Sequence, residues 1–149
     1  MRRTALAVAM CAVMLLCGCS KRNIEPSSCK AFAATMRENG FCEEGDGMTS
    51  DSEDGDAVLI QAKNGWLAGF YECESAEVAK DEFHSECSAA GIETFRQAGN
   101  DSYGIGELTT EDSYYYYVYA EDTCLFMIGR PEDKDEMHRL IDALGYTEE

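Results

Sequence analysis

Residues 114–130 read YYYYVYAEDTCLFMIGR. The stretch divides into two apolar runs, Tyr114 to Ala120 and Thr123 to Arg130, separated by Glu121-Asp122. β-branched and aromatic residues favour strands, and a short polar break between two such runs favours a hairpin. Side chains alternate across a strand, so Tyr114, Tyr116 and Val118 share one face. Tyr115, Tyr117 and Tyr119 share the other. The return run is also apolar on both sides, with Leu125 and Met127 against Cys124, Phe126 and Ile128. A sheet with helices on one face needs only one apolar side. A second apolar side must be covered or must bind something. Trp66, Tyr115, Tyr117 and Tyr119 are the candidate binding face, since Trp and Tyr are effective anchors for peptides, glycans and protein partners.

Working outward, Pro131 suits the first turn of a helix, and Met137, Leu140, Ile141 and Leu144 repeat at helical spacing before Gly145. Upstream, Ala57 to Lys63 and Trp66 to Cys73 read as strands joined at Asn64-Gly65, a type I′ hairpin signal. Ser75 caps a helix over 76–90, with Ala79, Phe83, Cys87 and Ala90 on one face and Gly91 at its end. Glu93 to Gln97 and Tyr103 to Thr110 are weaker strands. Ser27 or Ser28 caps a helix to about Asn39, whose Cys29, Phe32, Ala33 and Met36 share a face. Residues 43–56 are acidic and rich in Gly and Ser, so they read as a solvated loop.

A shift of 58 residues superimposes the two strand-strand-helix units, 57–90 and 114–145, bringing Leu67 onto Leu125, Phe70 onto Ile128 and Phe83 onto Ile141. The expected architecture is α+β: an N-terminal helix, then an antiparallel sheet of about four to six strands with helices packed mainly on one face.

The chain opens with Arg2-Arg3 and an apolar run, Thr4 to Leu16, of 13 residues. A bilayer-spanning helix needs roughly 20. The run fits the apolar core of a secretory signal and ends in Leu16-Cys17-Gly18-Cys19. This resembles the bacterial lipobox, with Leu three places before the cut, a small residue just before it and Cys after it. The resemblance implies a diacylglyceryl group on Cys19 and removal of residues 1–18. Cys17 fits poorly as the acceptor, because Leu16 would occupy the small-residue position. Residues 19–26 are then a lipidated tether and 27–149 one domain.

The chain carries 12 basic and 29 acidic residues, a net charge of −17. Loss of the signal makes this about −19, which argues against nucleic acid as a partner. Lys21 and Arg22 beside the lipid can meet headgroups.

Five cysteines remain after the signal and Cys19: Cys29, Cys42, Cys73, Cys87 and Cys124. Outside the cytoplasm these can pair, giving two bridges and one free thiol. If the first two helices pack antiparallel, Cys29 meets Cys87 and Cys42 meets Cys73, leaving Cys124 spare. Pairing along one helical stretch would need roughly 17–20 Å, against a limit of about 7 Å. His84 and Cys87 form an HxxC, but with so few further ligands a core Cys and a surface His is the simpler reading, and no metal is assigned. The acidic segment fails the EF-hand pattern, since Ser50 and Ser52 stand where acids belong.

No catalytic motif occurs, no cofactor is implied, and two histidines give a Ser/His or Cys/His pair little to draw on. The function expected is a non-enzymatic binding module tethered to a membrane by lipid, with a protein, peptide or glycan as partner. The alternatives are an envelope hydrolase with paired carboxylates and an accessory subunit of an envelope complex.

The pattern as a whole resembles a group of small lipoproteins of Gram-positive, often anaerobic, bacteria with no assigned activity. The likeness rests on the lipobox, Gly69-Phe70-Tyr71-Glu72, Ser75, Ala79-Lys80, Phe83 and Leu144-Gly145-Tyr146. It implies the location and the fold plan and supplies no catalytic residue.

Overall fold

The computed structural model describes residues 24–52 and 55–147. The expected signal segment, residues 1–18, and Cys19 lie outside the described residues. In chain order the helices are α1 (Cys29–Glu38), α2 (Ala76–Ala90) and α3 (Lys134–Leu144), the last entered through a 3-10 turn, Pro131–Asp133. The strands are β1 (Met48–Ser52), β2 (Gly55–Gln61), β3 (Leu67–Glu72), β4 (Phe95–Gln97), β5 (Tyr103–Thr109), β6 (Tyr114–Ala120) and β7 (Thr123–Gly129).

The protein is α+β, built on one antiparallel sheet in the order β1-β2-β3-β7-β6-β5-β4. Seven strands replace the expected four to six. Part of the increase comes from the acidic segment, where β1 pairs with β2 from Met48↔Leu59 to Ser52↔Gly55. Low β-propensity did not prevent pairing there. An edge strand needs a partner on one side only.

The hairpin at Asn64-Gly65 is wider than the type I′ expectation. Ala62 N donates to Trp66 O at 2.8 Å, and Gly65 N donates to Ala62 O at 2.9 Å. Gly65 has φ +97°, while Asn64 is not among the residues with positive φ. A type I′ turn needs positive φ at both central residues, whereas a three-residue loop needs one.

Helices cover both faces. Phe32 and Met36 of α1 and Met137, Leu140 and Ile141 of α3 pack with Val58, Ile60, Phe70, Leu125, Met127, Tyr116 and Val118. Ala79, Phe83 and Cys87 of α2 pack on the reverse side with Tyr117, Tyr119 and Cys124. The sheet is therefore the middle of three layers, and the expectation of helices mainly on one face is corrected. The reason lies in β6 and β7, which are apolar on both sides and must be shielded on both.

The 58-residue repeat holds in element order, and Leu67 and Leu125 each face the helix of their own unit, Leu67 toward α2 and Leu125 toward α3. Leu67 pairs with Ile128 and Phe70 with Leu125. Leu67 thus shares a face with Ile128 and lies opposite Leu125.

Local chemistry fixes the helices. Ser28 Oγ accepts from Ala31 N at the start of α1, and Ser75 Oγ from Val78 N at the start of α2. Gly91 and Gly145 close α2 and α3 in the left-handed conformation. Two chain ends meet at Tyr146. Its ring stacks on Phe70, its Oη accepts from Ser27 N at 2.8 Å, and its carbonyl accepts from Tyr116 Oη at 2.9 Å.

Candidate binding face

α2 crosses only part of its side of the sheet. Gly104 and Gly106 of β5 let it and its supporting ring approach. A Cβ at Gly106 would stand 3.0 Å from Cys87 Sγ, and one at Gly104 would stand 2.5 Å from the Tyr119 ring. Tyr119 is 1 % exposed and packs against Phe83 with ring centroids 5.0 Å apart. Tyr117 is 3 % exposed and meets Phe126 edge-on at 4.9 Å. Trp66 lies in the other layer, 1 % exposed, with its ring edge-on to Phe41 at 5.6 Å. Trp66 and Tyr119 are thus core residues, which corrects their assignment to a binding face, while Tyr117, though nearly buried, borders the hollow on the α2 side. Tyr115 stays half-buried beside Tyr117, at the margin of what α2 shields.

Beyond that margin the sheet is open. Leu59, Leu67 and Ile128 are each about two-fifths exposed and project on the α2 side with Tyr71 and Phe126. The Tyr71 ring lies over Gly69, where a Cβ would come within 3.1 Å of it, and meets Phe126 edge-on at 5.6 Å. The resulting hollow of about 170 Å³ has this apolar floor and one acidic wall, Glu82 and Glu86 of α2. Those two carboxylates stand one turn apart and make no ion pair among the described residues. Burial, then Glu86, pushes the Tyr117 hydroxyl up to about 12; Tyr71 is raised by burial and by Glu86 and Glu82. Both phenols therefore stay protonated at neutral pH. The alternation in β3 and β7 announced a doubly apolar sheet. Which half stays open depends on where α2 lands, and no local pattern states that.

The other layer holds a larger groove, about 370 Å³, between α1 and β1–β3. It mixes Lys30 and Arg37 with Asp56 and Glu72, and Glu72 Oε2 already accepts from Cys29 N at 3.1 Å.

A polar cluster escaped the sequence reading altogether. Tyr114 Oη, Glu107 Oε1 and His138 Nε2 meet beside α3, with Lys134 Nζ 3.4 Å and Arg96 Nη1 3.5 Å from the Glu107 carboxylate. Arg96 and Glu107 sit on strands expected to be weak, and Lys134 and His138 on a helix of which only the apolar positions were assigned.

All five described cysteines are free thiols. Cys29 and Cys87 lie on opposite sides of the sheet, as do Cys42 and Cys73. Neither expected bridge can form, because α1 and α2 do not pack together. Burial, then Glu72, pushes the Cys29 thiol up to about 12, and burial does the same for Cys87. Cys124, expected to be the spare thiol, contacts Cys73 instead. The His84 ring packs on Phe83 and Phe95.

No protein-family model matches the chain, and no curated protein matches it. Among solved structures it is similar to a GTP-binding regulator from Thermotoga maritima, with a TM-score of 0.50 and 10% identity over 87% of this chain and 98% of that one. At that identity the likeness is one of fold.

Proposed function

We propose that this protein is a lipid-anchored extracytoplasmic binding module, attached through Cys19, that captures a basic polypeptide segment on the open half of its sheet. The observation that carries the reading is the apolar floor of Leu59, Leu67, Ile128, Tyr71 and Phe126 beside Glu82 and Glu86, which make no ion pair among the described residues. An aliphatic or aromatic side chain fills such a hollow, and flanking Lys or Arg answers the acidic wall. A second copy is a poor occupant, since each chain carries −17. The signal-like start and the Leu16-Cys17-Gly18-Cys19 motif support the location.

Two measurements test it. Metabolic labelling with a radioactive fatty acid should mark the chain, and Cys19→Ser should abolish the label; an unlabelled wild type removes the anchor from the reading. Binding is measured by calorimetry on the full detergent-solubilised chain, with a Lys/Leu peptide and its Glu/Leu counterpart. Only the first should bind, more weakly at higher salt. Leu67→Ser with Ile128→Ser, or Glu82→Gln with Glu86→Gln, should weaken it by tenfold or more. Binding untouched by these changes, absence of binding, or dimerisation through this face would overturn the assignment.

A further inference from the structure

We propose that Cys73 and Cys124 form an oxidisable pair whose disulfide clamps the start of α2 to the sheet. Cys73 is the first residue after β3 and lies two residues before Ser75, the N-cap of α2. Its backbone N donates to Asp122 O at 2.7 Å, which extends the β3–β7 pairing by one residue. Cys124, on β7, pairs with Tyr71 of β3. Residues two apart on a strand share a face, so Cys73 and Cys124 emerge on the same side, diagonally across the two strands. Their thiols are in hydrogen-bonding contact. Cys124 Sγ also donates to Ala79 O at 3.1 Å, so this thiol already joins the sheet to the first turn of α2.

Among the described residues the other three thiols have no such neighbour. Cys29 and Cys42 belong to the α1–α3 layer, and Cys87 faces Gly106 further along α2. Access is divided in a useful way. Cys124 is fully buried, whereas Cys73 is half-buried at the strand end. Cys73 is therefore the residue an external disulfide reaches first.

The chemistry balances as thiol–disulfide exchange. The Cys73 thiolate attacks the disulfide of an oxidised dithiol partner and forms a mixed disulfide. The Cys124 thiolate then attacks the Cys73 sulfur and expels the partner's remaining thiolate. The two protons and two electrons leave with the partner, now a dithiol. The sulfurs close from contact to about 2.05 Å. The bond ties off a loop of roughly 50 residues, which raises resistance to unfolding mainly through the unfolded chain. It also holds α2, and with it the Glu82–Glu86 wall, against the open half of the sheet.

The inference rests on the extracytoplasmic reading only for its supply of oxidant. The full chain, purified from whichever cell fraction holds it, is incubated with oxidised glutathione. It is then denatured, alkylated, digested and mapped by mass. A Cys73–Cys124 peptide pair lighter by two hydrogens is expected. The oxidised chain should unfold at a higher urea concentration than the reduced one. Cys73→Ser should leave every other thiol open to alkylation after the same treatment. A crosslink between other cysteines, glutathione retained on Cys73, or full alkylation of both residues would overturn the pairing. Loss of the fatty-acid label with this crosslink intact would remove the location and leave the pair standing.

Discussion

The Tyr114 hydroxyl donates to Glu107 Oε1 at 2.6 Å, so that a phenol from β6 holds a carboxylate from β5 on the side of the sheet beneath α3. His138 Nε2 meets the same hydroxyl at 2.7 Å, and Lys134 lies over the Tyr114 ring. Tyr114→Phe removes one atom and leaves both polar partners without it. A loss of about 1–2 kcal/mol is expected in urea denaturation, since a charged group loses its hydrogen bond. An unchanged midpoint would show that water replaces the hydroxyl freely.

The same carboxylate sets an acid limit. Burial would raise the Glu107 carboxyl, but the Tyr114 hydrogen bond, with Lys134 and Arg96, holds it below its ordinary value. A carboxyl lower in the folded than in the unfolded state favours folding above its unfolded value. That contribution is lost as pH falls through the folded value. Stability measured against pH should therefore drop below about pH 4, and Glu107→Gln should flatten that drop while lowering stability at neutral pH. Parallel curves for the two proteins would rule out Glu107 as a source of the acid sensitivity.

Asp133 gives a second case at the entry to α3. It is 5 % exposed and accepts from Arg130 N at 2.8 Å and from the Arg130 guanidinium at 3.3 Å. Burial opposes its ionisation, and the hydrogen bonds and charge of Arg130 outweigh burial and lower the carboxyl. Asp133→Asn should cost about 1–2 kcal/mol near neutral pH, and the cost should shrink in acid, where the wild-type carboxyl is itself protonated. Denaturant curves at two pH values decide the point.

The two halves of the α2 side should respond oppositely to truncation. Phe83 is fully buried and contacts Tyr119 and Phe95. Phe83→Ala should cost about 3–5 kcal/mol. Leu67→Ser, at a site 39 % exposed, should stay within about 0.5 kcal/mol. Comparable losses from both would mean that Leu67 is shielded in solution by something that the monomer does not supply.

Gly104 tests the close approach on β5. A Cβ there would meet the Tyr119 ring at 2.5 Å. Tyr119 is itself pressed between Phe83 and the sheet and has little room to yield. Gly104→Ala should destabilise by about 1–3 kcal/mol through overpacking, whereas the same change at open Gly99 should cost far less. Thermal melts of the two variants separate the effects.

Much of this fold was written locally. Ser75 and Gly91 bracket α2 at its observed ends, and the run at 114–130 gives β6 and β7 to within a residue. Pairing across the sheet was not local. The shift of 58 matched Leu67 with Leu125, yet it could not tell that the two units' helices cover opposite sides of one sheet, so that these residues point opposite ways. Trp66 looked like a surface anchor because its strand is apolar on both sides, yet it closes the core beside Phe41 and Gly129. β1 was hidden because its propensity for a strand is weak and its conformation is set by pairing with β2, a tertiary effect. Of the four residues expected on a binding face, only Tyr117 lines the hollow, and Tyr115 stands at the margin of what α2 shields. Glu82 and Glu86 look like ordinary solvated helix positions until the hollow beside them is known.

Ile24, 2 % exposed, is buried in the layer of α1 and α3, on the reverse of the sheet from Leu59, Leu67 and Ile128. With a lipid on Cys19, five residue steps separate the acyl chains from that fixed point, a reach of at most about 18 Å. Such a module cannot roam far from the bilayer or search a large volume. It would work as a fixed bracket, one layer tied close to the lipid and the hollow on its far side, and its partner would have to come to it.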